Sequence, residues 1–109
     1  YVQAELRAVY DAISVCASRS DVSSASESDH LLKDIDVVLT DVSSQLRIAT
    51  LKHLGDLFCD RDRWEVAAKL HEHAKSELEK LTEPEKLSDF ALAMKTLINQ
   101  SLAASAAIT

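Results

Sequence analysis

Apolar residues recur along the chain at steps of three and four, the period of a helix that buries one face. From Val2 the set Leu6, Val9, Ile13 and Cys16 makes one such stripe and predicts a first helix running to about Ser18. The stretch RSDVSSASESD, Arg19 to Asp29, breaks the period. Its Ser and Asp side chains compete for backbone hydrogen bonds, so a flexible loop is expected over 19–29. A second helix carries Leu31, Leu32, Ile35, Val38, Leu39 and Val42, with Ser28 or Asp29 placed to cap it, and ends near Ser43.

The pair Ser43 and Ser44 offers a further cap before Leu46, Ile48, Leu51, Leu54, Leu57 and Phe58, which predicts a separate third helix; one long bent helix through Leu57 is the alternative. The segment CDRDRWE reads as a turn, with Asp62 and Glu65 at capping-box spacing, and a fourth helix then carries Trp64, Ala67, Ala68, Leu70, His71, Ala74 and Leu78. Thr82 and Glu85 around Pro84 repeat that spacing, so a last helix is expected to start between Thr82 and Ser88. It bears Leu87, Phe90, Ala91, Met94, Leu97, Ile98 and Leu102, and fades into AASAAIT, residues 103–109, which are expected to fray. Helices three and four have the length of a tetratricopeptide-like hairpin, with Gly55, Ala67 and Ala68 permitting close approach, but no 34-residue repeat flanks them.

Composition sharpens this reading. A chain of 109 residues has the size of one domain, and a single Gly and a single Pro leave too few turn residues for a β architecture. The expected fold is all-α, a single antiparallel bundle of about five helices. The same scarcity removes glycine-rich phosphate loops. Eighteen Asp and Glu against twelve Lys and Arg give a net charge of -6, which argues against a nucleic-acid surface. A mean hydropathy of -0.06, with no apolar run long enough to span a membrane and no charged leader, fits a soluble globular chain. The chain starts without Met and is expected to be a piece of something longer.

Candidate chemistry is sparse. Among His30, His53, His71 and His73, the last two are two residues apart on a helix and point to different faces, so a shared metal is not expected. His71 lies on the buried stripe and reads as a packed imidazole with one satisfied nitrogen; His53 reads as solvated, and Cys16 and Cys59 as buried thiols. Glu72, Glu77 and Glu79 alternate with Lys75 and Lys80 as on a solvated, ion-paired face. No pair of carboxylates is isolated on an apolar face, and the serines cluster in the loop away from any histidine, so no enzyme activity, cofactor or small-molecule substrate is expected. The Ser-rich loop could accept phosphate, a property it shares with ordinary solvated linkers. Trp64, beside Arg61 and Arg63, is read as packing over the core, with an exposed anchor as the alternative.

Two segments carry a resemblance. RWEVAAKLH, Arg63 to His71, and SDFALAMKTLINQ, Ser88 to Gln100, resemble signatures of the family formed by the steroid receptor RNA activator protein and the carboxy-terminal domain of the COPII outer-cage scaffold subunit. Phe90, Lys95, Leu97 and Ile98 match positions of the family's closing helix. Upstream, residues 31–58 resemble it in apolar spacing alone, and EKLTEPEK, residues 79–86, is longer than the family pattern. Phe90 is closer to the coat branch, whose closing motif has Phe where the coactivator has Trp.

The resemblance implies a small helical bundle at the carboxy-terminal end of a large scaffold, attached through a flexible linker and supporting coat assembly in transport from the endoplasmic reticulum to the Golgi. Its partners would be other coat subunits, its location cytoplasmic at endoplasmic reticulum exit sites, and its membrane contact indirect. Arg61, Arg63, Lys69 and Lys95 are the candidate contact residues. The alternatives are a nuclear transcriptional coregulator resembling the activator protein, and a tetratricopeptide-like adaptor that grips a peptide.

Overall fold

The computed structural model describes residues 2–19 and 24–108, and every element among them is helical. The helices are α1 (Val2–Ser18), α2 (Ala25–Val38), α3 (Ser44–Asp60), α4 (Trp64–Glu79), the single turn α5 (Glu83–Lys86) and α6 (Asp89–Ile108). The expected bundle is thus present, with the fifth long helix preceded by one extra turn. Helices α3 and α4 form the most extensive pair, and α4 is the hub of the molecule, since it also packs on α6 and on α2. Helix α1 lies chiefly on α2 and touches α3 lightly. The radius of gyration, 13.4 Å, is that of one compact domain of this length, for which about 13 Å is the norm.

The core is built from the stripes read along the sequence. Leu31, Ile35 and Leu39 of the α2 stripe meet Ile48, Leu51, Leu54 and Phe58 of α3, Val66, Ala67, Leu70 and Ala74 of α4, and Ile98 of α6, all essentially excluded from water. At about 25 cal/mol per Å² of buried apolar surface, such a cluster supplies the main folding drive.

Helix boundaries differ from expectation in four places, each for a local reason. The loop expected over 19–29 is shorter, because α2 begins at Ala25. Ser24, not Ser28 or Asp29, is its cap, accepting the Glu27 amide at 3.1 Å while its hydroxyl donates to the Glu27 carboxylate at 2.9 Å. Ser28 is buried one turn later, its hydroxyl bonded to the Ser24 carbonyl. The Ser-rich stretch therefore holds a capping signal inside what composition reads as linker. The expected phosphate-accepting serines at 20 and 23 lie outside the described residues.

Helix α2 ends at Val38 rather than near Ser43. Arg47 accounts for the turn that follows. Its guanidinium donates to the carbonyls of Leu39 at 3.2 Å, Thr40 at 3.0 Å and Val42 at 3.1 Å, and faces Glu77 of α4 at 3.8 Å. One forked cation thus pins the turn that carries the chain from α2 into α3.

The capping box at Asp62 and Glu65 does not form. Arg61 closes α3, and Asp62 adopts a left-handed backbone with φ 58°. Its amide bonds the Cys59 carbonyl at 3.0 Å, while the Arg63 amide bonds the Phe58 carbonyl at 2.9 Å. This is the Schellman arrangement, with Asp standing where glycine is commonest. Asp62 therefore ends α3 instead of starting α4, whose N-cap is Arg63.

The second expected box, at Thr82, is present: the Glu85 carboxylate accepts the Thr82 amide at 3.0 Å and its hydroxyl at 2.7 Å. Those bonds, from the hydroxyl first and then the amide, hold the Glu85 carboxyl below its usual range. Finally, the tail expected to fray over 103–109 is helical through Ile108, and Ser105 is buried. The alanines there favour helix intrinsically, and α4 gives that turn a surface to lie on.

Candidate functional site

Gly55 of α3 packs directly against His71 of α4. A Cβ at this position would stand 2.4 Å from His71 Nε2, so only glycine leaves room for the imidazole. His71 is wholly buried, and its Nε2 lies 3.1 Å from Asp56 Oδ1; because a carboxylate only accepts, Nε2–H is the donor. The other Asp56 oxygen receives Lys52. Nδ1 of His71 has no hydrogen-bond partner, so the expectation of one satisfied nitrogen holds. This is a positioned core histidine whose carboxylate partner reaches the surface.

His73 leaves the opposite side of α4 and bonds Asp36 of α2 at 2.6 Å, one residue face away from His71 as the helical period requires. Among the described residues no three His, Cys, Asp or Glu side chains are grouped to hold a metal. His53 is exposed. Cys16 is buried, and burial pushes its thiol up to about 12 against the pull of Arg61 and Arg19. Cys59 is only half-buried, which corrects its reading as a core thiol; desolvation and the nearby Asp56 and Asp60 raise it also.

The four candidate contact residues do not form one patch. Arg61 is exposed at the end of α3, and Arg63 is the half-buried N-cap of α4. Lys69 is engaged within the molecule by Asp29 of α2 at 3.0 Å, part of a polar seam that continues through His73 and Asp36. It also lines a groove of 500 Å³ between α4 and α6, where Trp64, Ala68 and Leu102 are flanked by Glu65 and Glu72. Trp64 is half-buried there, intermediate between the packed and exposed readings. Lys95 is on α6, at a second groove between the far end of α4, α5 and α6.

Sequence reasoning missed three features of this surface. Leu87, assigned to the apolar stripe of the last helix, is instead 73% exposed, because α5 ends before α6 begins and its C-cap points away from the core. Arg47 was invisible because its three carbonyl partners belong to a turn whose shape periodicity does not give. The third is the partition of charge. Residues 1–43 hold three Lys and Arg against eight Asp and Glu, whereas residues 44–109 hold nine against ten. The acidity thus belongs to the α1–α2 side, and α6 beyond Lys95 carries no charge at all. A running charge count would have found this.

No protein-family model, curated protein or solved structure matches the chain.

Proposed function

We propose that this chain is a non-catalytic protein-interaction module, similar in role to the carboxy-terminal domain of the COPII outer-coat scaffold, and that it supports coat assembly in transport from the endoplasmic reticulum to the Golgi. The observation that carries the reading is that the two resembling segments fall on two helices that pack on one another. Residues 63–71 and 88–100 are distant along the chain, yet they lie on α4 and α6, which pack directly on one another. Within them His71 and Ile98 are buried, while Lys95 and Leu97 stay on the surface, Leu97 at 43% exposure. Packing accounts for the first pair. Contact with another protein accounts for the second.

The mechanism is adhesion multiplied by tethering. A contact too weak for one copy becomes effective when many copies are held on one membrane patch, because tethering raises the effective concentration of the second binding event. No bond is made or broken. The chain itself has no helix long and apolar enough to cross a membrane among its described residues, and its membrane contact would run through the coat, in the cytoplasm at exit sites.

The test is immunoprecipitation of the native parent protein, with its mass recorded and its companions identified with and without ribonuclease. A large parent that keeps inner-coat subunits after ribonuclease is the expected result. A short parent with nuclear companions, or companions lost with RNA, overturns the coat reading in favour of a coregulator; tandem copies of the α3–α4 hairpin in the parent favour a peptide-gripping adaptor.

A further inference from the structure

We infer that the α2–α3 corner beneath α1 is a helix-binding groove with α1 as its built-in occupant, and that a partner helix with an arginine and a leucine where α1 has Ala4 and Ala8 displaces it. The inference rests on the interaction-module reading and adds a contact surface to it. What the groove takes is visible in the way α1 is seated. Glu5 accepts the Ser43 amide at 3.0 Å at one end, and Arg19 pairs with Asp34 at the other. Between these anchors Ala12 and Cys16 are excluded from water, with Ala8 packed beside them. Positions 5, 8, 12, 16 and 19 recur at steps of three and four, so the corner reads one face of a helix over a rise of about 21 Å.

The occupant underfills its site. Ala4, Glu5 and Ala8 of α1 face Val38, Asp41 and Val42 across an open gap of 380 Å³, to which α1 offers two methyl groups beside Glu5. A leucine at the place of Ala8 covers the two valines and takes more apolar surface out of water. Glu5 is committed to the Ser43 amide, whereas Asp41 is exposed and makes no ion pair or hydrogen bond through its side chain among the described residues. No cation lines the gap. An arginine at the place of Ala4 lays its stem across the opening and sets its head group on Asp41.

The groove is held without its occupant, and the occupant is loosely held. Arg47 pins the α2–α3 turn through the carbonyls of Leu39, Thr40 and Val42, and the Val42 side chain belongs to the core, so the receiving face needs little reordering. Helix α1 lies chiefly on α2, touches α3 lightly and keeps Leu6 and Tyr10 in water, so its release uncovers one narrow face. Being tethered, α1 competes at an effective concentration on the order of millimolar, and a free copy of the same sequence gains nothing over it. The partner helix prevails through what it adds in the gap.

The probe is a fluorescein-labelled peptide of residues 2–19 carrying Ala4→Arg and Ala8→Leu, titrated against the full chain by anisotropy with amide hydrogen exchange read in parallel. It is expected to bind at least about tenfold tighter than the unmodified peptide, to speed exchange of the α1 amides and to leave the Ser43 amide protected, because its own Glu5 replaces the resident one. Asp41→Lys in the chain is expected to weaken the modified peptide about tenfold and to leave the unmodified one unchanged. Asp41 is exposed, and melting curves that match the parent chain's exclude a folding effect. With Ala4→Arg and Ala8→Leu placed in the chain itself, α1 exchange should slow and the peptide should be shut out.

No binding at millimolar peptide, binding that leaves α1 exchange unchanged, equal affinity of the unmodified peptide, or indifference to Asp41→Lys each overturns the inference. Self-association of the chain that slows α1 exchange overturns it in favour of a second copy. The two proposals fail separately. Retained coat subunits without peptide binding sink only this groove; peptide binding without coat subunits sinks only the coat reading.

Discussion

Helix α1 and the α3–α4 hairpin were both legible as amphipathic stripes, yet they end in different environments. The hairpin buries Ile48, Leu51, Leu54 and Phe58 on one side and Val66, Ala67, Leu70, His71, Ala74 and Leu78 on the other. Helix α1, of equal length to α3, buries only Ala12 and Cys16 among its described side chains, and leaves Leu6 at 58% and Tyr10 at 70% exposure. Its ties to the rest are few: Glu5 accepts the Ser43 amide at 3.0 Å, and Arg19 at its end pairs with Asp34 on the surface. A stripe brings stability only where a second element covers it, and α1 has one main neighbour where α4 has three. Local opening therefore starts at α1, while the hairpin opens only with the whole domain.

The widest test of this contrast pairs Phe58→Ala with Leu6→Ala. Truncating the fully buried ring is expected to cost about 3–5 kcal/mol in denaturant unfolding, and truncating the exposed leucine less than about 0.5 kcal/mol. Equal costs would mean that α1 is packed as firmly as the hairpin. Next in size is Arg47→Ala, which takes a shared donor from the carbonyls of Leu39, Thr40 and Val42 and the facing cation from Glu77 of α4; a loss of about 2 kcal/mol is expected. Arg47→Lys should recover less than half of it, because an ammonium cannot span the three acceptors.

Gly55→Ala probes the close approach inside the hairpin. Overpacking against the imidazole is expected to outweigh the helix propensity gained, for a net loss of about 1–2 kcal/mol. Adding His71→Ala should make the double variant less damaged than the sum of the singles, the mark of a direct clash. Asp62→Gly works in the opposite direction. It removes the left-handed strain at the hairpin's turn and is expected to stabilise by about 0.5–1 kcal/mol, measured as a shift in the unfolding midpoint.

The smallest effect, nil at neutral pH, belongs to α1. The Cys16 thiol ionises near 9 when unfolded but only near about 12 in the fold, so the folded state is favoured fully below pH 9 and loses that advantage as pH rises toward 12. Stability measured between those values should decline, and Cys16→Ala should flatten the decline. A slope that survives the substitution would assign the alkaline loss to other groups.

The all-α class, the number of long helices and the stripe that faces the core were readable because each depends on a repeat within one segment. The split between α2 and α3 was readable for the same reason, from Ser43 and Ser44. Less of the candidate surface was readable. Of the candidate contact residues, Lys95 is exposed on α6, whereas Lys69 turned out to be engaged by Asp29, a partner forty residues away that no local pattern links to it. Leu87 carried the same spacing signal as Leu78, yet one is presented to solvent and the other is a groove floor.

What the sequence alone determined is therefore the set of helices and their inward faces, because backbone propensity, capping spacing and the 3.6-residue period act over a few residues at a time. Only the tertiary structure decided which stripes would be covered, which cations would be neutralised from afar, and whether Asp62 would end one helix or begin the next. Those outcomes depend on what another segment places within a few ångströms, and the energy of such a contact belongs to neither segment by itself.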